Sequence, residues 1–321
     1  MIFASPSPAS ARAPRAFRHR LAATAGATGL ALTLAACGST TGASGDSGAE
    51  LDVLASFYPL QMVVEQVGGE HVSVGSLTPP GAEPHDVELS PAQVAQLGSA
   101  DLVVYLSGFQ AAVDDAVDEA APAATLDAAD VVTLQEAAAG EDEGEEDPHG
   151  TLDPHFWLDP SLMPGLVQAV ADELTRLDPS AEDDFRTNAA ALTQRFEDLD
   201  AQYETTLATC TQRTFVTAHA AFGYLAARYD LEQVAISGID PEAEPSPARL
   251  AQVEQVISDA GVTTVFFETL VSPKVAQTLA DDLGIQAAVL DPIEGVTEEG
   301  ADYFTIAQAN LEALSVASSC S

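Results

Sequence analysis

Twice along this chain, short apolar runs alternate with stretches of helical periodicity, and a long, almost unbroken helical region separates the two. No other feature restricts the fold as much. In the first region, 51–58 (LDVLASFY), 72–77 (VSVGSL) and 101–106 (DLVVYL) read as short buried strands. Between the last two, Ser90 and Pro91 supply an N-cap and a first-turn residue for a helix over AQVAQLGSA. Strand–helix–strand alternation is the mark of a parallel sheet covered by helices. In the middle region Leu162, Leu166, Val170 and Leu174 recur at every fourth position, and Asp178-Pro179-Ser180 interrupts them. Phe185, Leu192, Phe196, Leu199, Tyr203 and Leu207 then form one apolar stripe. A helix over 180–209 would be about 45 Å long, which suits a connecting strut better than a core helix. Alternation resumes with strands at 214–217, 234–237, 263–267 and 287–290, interleaved with helices at 249–260 and 273–283. The expected architecture is α/β: two lobes, 51–160 and 210–321, with parallel sheets covered by helices, joined through 161–209 by one long rigid helix.

The first fifty residues have a different character. Arg12, Arg15, Arg18 and Arg20 precede an apolar stretch of small residues, LAATAGATGLALTL, followed by Leu34-Ala35-Ala36-Cys37. This is the layout of a secretory signal, and the apolar run is shorter than the roughly 20 residues that span a bilayer. Leu-Ala-Ala-Cys resembles the bacterial lipobox, which implies removal of 1–36 and acylation of the Cys37 thiol. The alternative is an ordinary signal peptide with an incidental cysteine. Residues 37–50 then hold the anchor and a flexible Gly/Ser tether. The expected location is outside the membrane, held by lipid.

The charge balance excludes some functions. With 50 acidic side chains against 11 Lys plus Arg, the net charge is −39, and it becomes more negative once the basic leader is gone. A nucleic-acid binder needs a basic footprint and is excluded on that ground. A hydrophobic fraction of 46 % rules out a disordered acidic chain. The acid is densest at 136–150 (EAAAGEDEGEEDPHG), which reads as a solvated loop. If Cys37 carries lipid, Cys210 and Cys320 remain as an even pair in an oxidising compartment, either bridged or as two free thiols.

Five histidines follow the leader: His71, His85, His149, His155 and His219. A single histidine is more often a surface or hydrogen-bonded core residue than a ligand, but position singles out three. His219 ends the strand TFVTAH, His85 lies in the loop after VSVGSL, and His155 sits in DPHFWLDP, where the acidic loop ends. Asp291 ends the strand AAVLDP. In open parallel sheets, sites form beyond the carboxyl ends of the strands. His85, His155, His219 and Asp291 could therefore meet in one crevice between the lobes. Three imidazoles and one carboxylate suit Zn²⁺, whereas Mg²⁺ or Ca²⁺ would call for oxygen ligands throughout. Neither HExxH, GxSxG nor a P-loop occurs in the sequence. Glu244 and Glu268 are expected to support the ligands or cap helices, Trp157 to pack the cleft wall, and His71 to lie on the surface.

Several of these strings, in this order, resemble the zinc- and manganese-binding solute-binding proteins of bacterial ABC transporters. The resemblance runs from Leu51 to Cys320. It rests on Pro84-His85-Asp86 with SPAQVAQLGSADLVVYLSG, on DPHFWLDP, on HAAFGYLAARY from His219, on ISGIDPEAEPSPARL, on FFETLVSPKVAQTLADDLG and on VLDPIEG. It implies two lobes on a rigid helix, a metal in the cleft between them, and ligand positions at His85, His155, His219 and Asp291. Histidine at the third position, where the manganese branch shows glutamate, favours zinc over manganese. It implies no enzyme activity, with the metal handed as cargo to an ABC permease by a monomer. The long histidine-rich loop of many zinc-binding relatives is replaced here by the acidic stretch, with His149 alone. Because ligands must be deprotonated, affinity is expected to fall around pH 5–6.5. An exported zinc hydrolase with a His₃ site is the alternative of another class, in which Asp291 would orient a metal-bound water. A siderophore- or cobalamin-type binding lipoprotein would want a more aromatic or basic cleft.

Overall fold

The computed structural model describes residues 50–137 and 152–321, all within one compact unit. The leader, Cys37, the tether and His149, with nearly all of the acidic stretch, lie outside the described residues. The first region builds β1 (Leu51–Ala55), α1 (Tyr58–Gly68), β2 (Val72–Ser76), α2 (Pro91–Leu97), β3 (Leu102–Tyr105), α3 (Ala111–Ala120) and β4 (Thr125–Asp127). Its four strands are parallel, in the order β2-β1-β3-β4. A short antiparallel pair, β5 (Gln135–Glu136) with β6 (Leu152–Asp153), follows. After α4 (Met163–Leu177) and α5 (Glu182–Leu207) come β7 (Thr214–Thr217), α6 (Gly223–Arg228), β8 (Glu232–Ala235), α7 (Pro247–Ala260), β9 (Thr264–Phe267), α8 (Lys274–Leu283), β10 (Gln286–Val289) and α9 (Tyr303–Ala317). The second sheet is also parallel, in the order β10-β9-β7-β8. Among the described residues, no helix is long and apolar enough to cross a membrane.

Local chemistry accounts for the element ends. The expected run 51–58 stops as a strand at Ala55, because Pro59 sets a helical φ in the first turn of α1 and Phe57 takes the extended N-cap conformation. At α2 the expected cap is present: the Ser90 hydroxyl accepts from Gln93 N, and the Gln93 side chain accepts in return from Ser90 N. Ser246 and Asp302 cap α7 and α9 in the same way, by accepting from the backbone N–H three residues on.

The long helix α5 has 26 residues, against the thirty expected, which makes it about 39 Å long. Its stripe of Phe185, Leu192, Phe196, Leu199, Tyr203 and Leu207 is buried throughout. This corrects the notion of a strut outside the core. The stripe belongs to the largest apolar cluster, which joins Val53 and Leu60 of the first sheet region to Phe215 and Leu311 of the second. Asn188 donates to Val67 O of α1 (3.0 Å), and four turns later the Tyr203 hydroxyl donates to Ala307 O of α9 (2.6 Å). The opposite face of each sheet has its own cluster, around Val103 and Val113 in the first and around Val265 and Ile257 in the second. Both lobes thus share one core through α5. A Cys210–Cys320 disulfide fastens the segment after α5 to the C-terminus.

Candidate metal centre

Each lobe sends its side chains to the centre from beyond the carboxyl ends of its strands. After β2, the loop 77–90 is tied down by Thr78, whose N–H and hydroxyl both donate to Ser56 O, and by Gln110, which donates to Thr78 Oγ1 and Pro84 O. This sets His85 edge-on to the Phe109 ring, 4.7 Å between centroids. The Glu83 carboxylate accepts the His85 N–H at 3.0 Å. His155 follows β6, and Asp153 Oδ1 accepts both its N–H and its ring Nδ1–H, at 2.9 and 2.7 Å. His219 lies two residues beyond β7; its Nδ1–H donates to Glu268 Oε1 at 2.7 Å, and Glu268 directly follows β9.

These ring bonds decide the tautomers of His155 and His219. A ring that donates through Nδ1 to a carboxylate presents the lone pair of Nε2 on its other side. The Nε2 atoms of His85 and His155 lie 3.3 Å apart, and those of His155 and His219 lie 3.5 Å apart. Glu294 Oε1 is 3.3, 3.1 and 3.7 Å from the Nε2 atoms of His85, His155 and His219 respectively. One ligand atom from each of the four lies within 4.8 Å of all the others, and all four residues are buried. Four electron-pair donors this close, out of water, repel one another unless a cation or protons lie among them.

The titration tendencies express that tension. Burial depresses His85. Burial also acts against the charged forms of His155 and His219, but neighbouring carboxylates outweigh it: Asp153 and Glu294 raise His155, and Glu268 and Glu294 lift His219 to about 10. For Glu294 burial is likewise overcome, here by hydrogen bonds from the three imidazoles, and its carboxyl is held well below the usual range. Burial and then the negative charge of Glu294 raise Glu83 to about 8.

The structure brings His85, His155 and His219 together, but the carboxylate beside them belongs to Glu294. Asp291, expected in that place, is turned away: Oδ1 accepts from Ile293 N at 2.7 Å and Oδ2 from the Thr269 hydroxyl at 2.6 Å. β10 ends at Val289, so the chain needs several more residues of loop to reach the centre, and the last residue of DPIE arrives there. Glu268 supports His219 as expected, whereas Glu244 is exposed. Asp153 carried no expectation, although its place two residues before a candidate histidine was a usable signal. Trp157 is fully buried, 4.9 Å from Phe57 and 5.2 Å from His155 between ring centroids. His71 is half-exposed and pairs with Asp184. A cavity of about 200 Å³ lies beside the centre, lined by Tyr58, Thr78, Gly81, Glu294 and Gly295 among others.

A family model described as zinc-uptake complex component A, periplasmic (ZnuA), matches residues 53–317. The chain belongs to this family. Its likeness to curated ZnuA-family relatives is broad. It is 36 % identical over 295 residues to the zinc-binding lipoprotein AdcA of Streptococcus pneumoniae, covering 88 % of this chain and 58 % of AdcA. The chain thus spans little more than half the length of that relative. With the high-affinity zinc uptake system protein ZnuA of Bacillus subtilis it shares 35 % identity over 296 residues, covering 88 % of this chain and 93 % of the relative. The crystal structure of the Zn(II)-bound ZnuA-like domain of S. pneumoniae AdcA superposes with a TM-score of 0.71 at 34 % identity, covering 84 % of this chain and 99 % of that one.

Proposed function

We propose that this chain is the extracytoplasmic zinc-binding component of an ABC-type uptake system and holds one Zn²⁺ as cargo on His85, His155, His219 and Glu294. One observation carries the reading: three imidazole Nε2 atoms and one carboxylate oxygen converge at a buried point, with two of the rings fixed by carboxylates behind them. Three nitrogens and one oxygen are the donor set of a tetrahedral zinc site. A third imidazole in place of another oxygen favours Zn²⁺ over Mn²⁺. A four-donor shell drawn from the protein leaves no position for a reactive water, so the chain binds and releases without covalent chemistry. Cys37 would carry the lipid anchor, and a monomer would deliver zinc to a membrane permease.

The test is a titration of metal-free protein from Gly38 onward with zinc and with manganese, followed by calorimetry and thermal unfolding. One zinc per chain is expected, with a stabilisation of about 4 kcal/mol when free zinc stands at a thousand times Kd. Manganese should give a much smaller shift, and His219→Ala should abolish the zinc effect. A zinc shift that persists in His219→Ala would sink the proposed ligand set.

A further inference from the structure

The segment that delivers Glu294 contains an unusual backbone. Ile293 has φ +58, in the left-handed region that a β-branched side chain avoids, and it is buried to 1 % exposure. Such a conformation persists only where its surroundings enforce it. Here the enforcement is visible on every side. Asp291 Oδ1 accepts the Ile293 N–H in an Asx turn, and its Oδ2 accepts the Thr269 hydroxyl. The Asn310 amide of α9 grips the Asp291 backbone at both ends, accepting from N at 2.8 Å and donating to O at 2.6 Å. Trp157 Nε1 donates to Pro292 O at 2.8 Å, and the Tyr303 hydroxyl donates to Trp157 O.

We infer that Asp291 is a positioning residue: with Thr269 and Asn310 it holds Ile293 in the left-handed conformation that turns Glu294 in among the three imidazoles. Both carboxylate oxygens of Asp291 already serve this clamp. Were Ile293 to relax to negative φ, its peptide plane would rotate and carry the next side chain, Glu294, off the centre. Loosening the clamp should therefore speed metal release while leaving the ligand set intact. The inference rests on the zinc reading above.

The experiment compares zinc affinity and the rate of zinc loss to excess chelator in full-length protein, with Co²⁺ absorption reporting the ligand set. Asp291→Ala is expected to lose affinity by roughly 10–100-fold, mainly through faster release, as when a group supporting a metal ligand is removed. Asp291→Asn should recover most of that loss, because its amide oxygen can still accept from Ile293 N. Both should keep the wild-type Co²⁺ spectrum, whereas Glu294→Gln should change it. If Asp291→Asn is as weak as Asp291→Ala, or if Asp291→Ala releases zinc at the wild-type rate, the inference is overturned. Should Asp291→Ala not fold, Thr269→Val removes one strand of the clamp; faster release is expected, and an unchanged rate counts against the clamp. If wild-type protein binds no zinc, the receptor reading itself fails, and this inference falls with it.

Discussion

The disulfide offers a perturbation whose size follows from chain geometry. Cys210 and Cys320 close a loop with a sequence separation of 110. On a chain-entropy accounting, opening it should cost roughly 4–5 kcal/mol through the unfolded state. The native ends have other ties that hold them in place: Gln212 N donates to Ser318 O at 3.0 Å, Ser321 N to Thr209 Oγ1 at 3.1 Å, and Cys320 N to Ser315 O at 3.0 Å. The folded state should therefore change little when the bridge is opened. Cys210→Ser/Cys320→Ser, or reduction of the wild type, should lower Tm by about 7–8 °C. Zinc affinity should stay near wild type, since Asn310 and Tyr303 of α9 are fixed by contacts remote from Cys320. Scanning calorimetry with and without reductant, paired with zinc titration, reads both. A Tm shift within 3 °C, or a large loss of zinc affinity, would refute the claim that the bridge acts on the unfolded chain alone.

Other consequences can be checked separately. Gly223 opens α6 so close to Asp153 that an added Cβ would lie 2.8 Å from Asp153 Oδ2. Helix propensity alone would let Gly223→Ala stabilise by up to about 1 kcal/mol, yet it should weaken zinc binding roughly tenfold by pushing Asp153 off His155; calorimetry that finds affinity unchanged would show that Asp153 does not position the ring. Glu294 and Glu268 lift His219 to about 10, so metal-free protein holds that proton at neutral pH and zinc must displace it. Because the folded value is raised above the usual 6.5, the imidazolium contributes stability fully below about pH 6.5 and loses it as pH rises toward about 10, while zinc affinity should rise about tenfold per pH unit over that window, which lies above the pH 5–6.5 expected for unperturbed imidazoles. Titrations at pH 7.5 in buffers of different ionisation enthalpy should show close to one proton released per zinc, and a value near zero would refute it. Phe196, buried in α5 and 5.3 Å from the Tyr303 ring, should cost about 3–5 kcal/mol when changed to Ala, measured by denaturant unfolding.

The fold was legible because its signals are local. Two α/β regions, seven of the eight main sheet strands among the described residues and the apolar stripe of α5 could be read from periodicity and caps, since short apolar strands and a one-sided helix leave plain patterns. Among the features that escaped, two have a plain physical reason. α1 begins inside an apolar run that reads equally as strand, and only Pro59 marks the change. The burial of α5 in a core shared by both lobes depends on what packs against its stripe, which periodicity does not encode.

The candidate centre divides along the same line. His85, His155 and His219 could be named because each stands at the end of a recognisable strand or beside a proline-marked turn, where backbone direction alone points the side chain toward the crevice. The carboxylate could not be chosen that way. Asp291 and Glu294 are three residues apart in one loop, both are acids, and both are buried. What separates them is a single left-handed residue between them, which reverses the local chain direction so that the nearer acid closes a turn on Ile293 and the farther one faces the imidazoles. Isoleucine is among the residues least suited to positive φ, so nothing in its identity announces that turn; the conformation is imposed by Thr269, Asn310 and Trp157, brought in from the segment after β9, from α9 and from the other lobe. A ligand whose placement depends on three distant side chains is also one that the surroundings can move. The two fixed histidines have carboxylates bonded directly to their rings, whereas Glu294 is held through its backbone. Of the proposed ligands on the second lobe, it is therefore the one through which a partner would loosen the metal without dismantling the site.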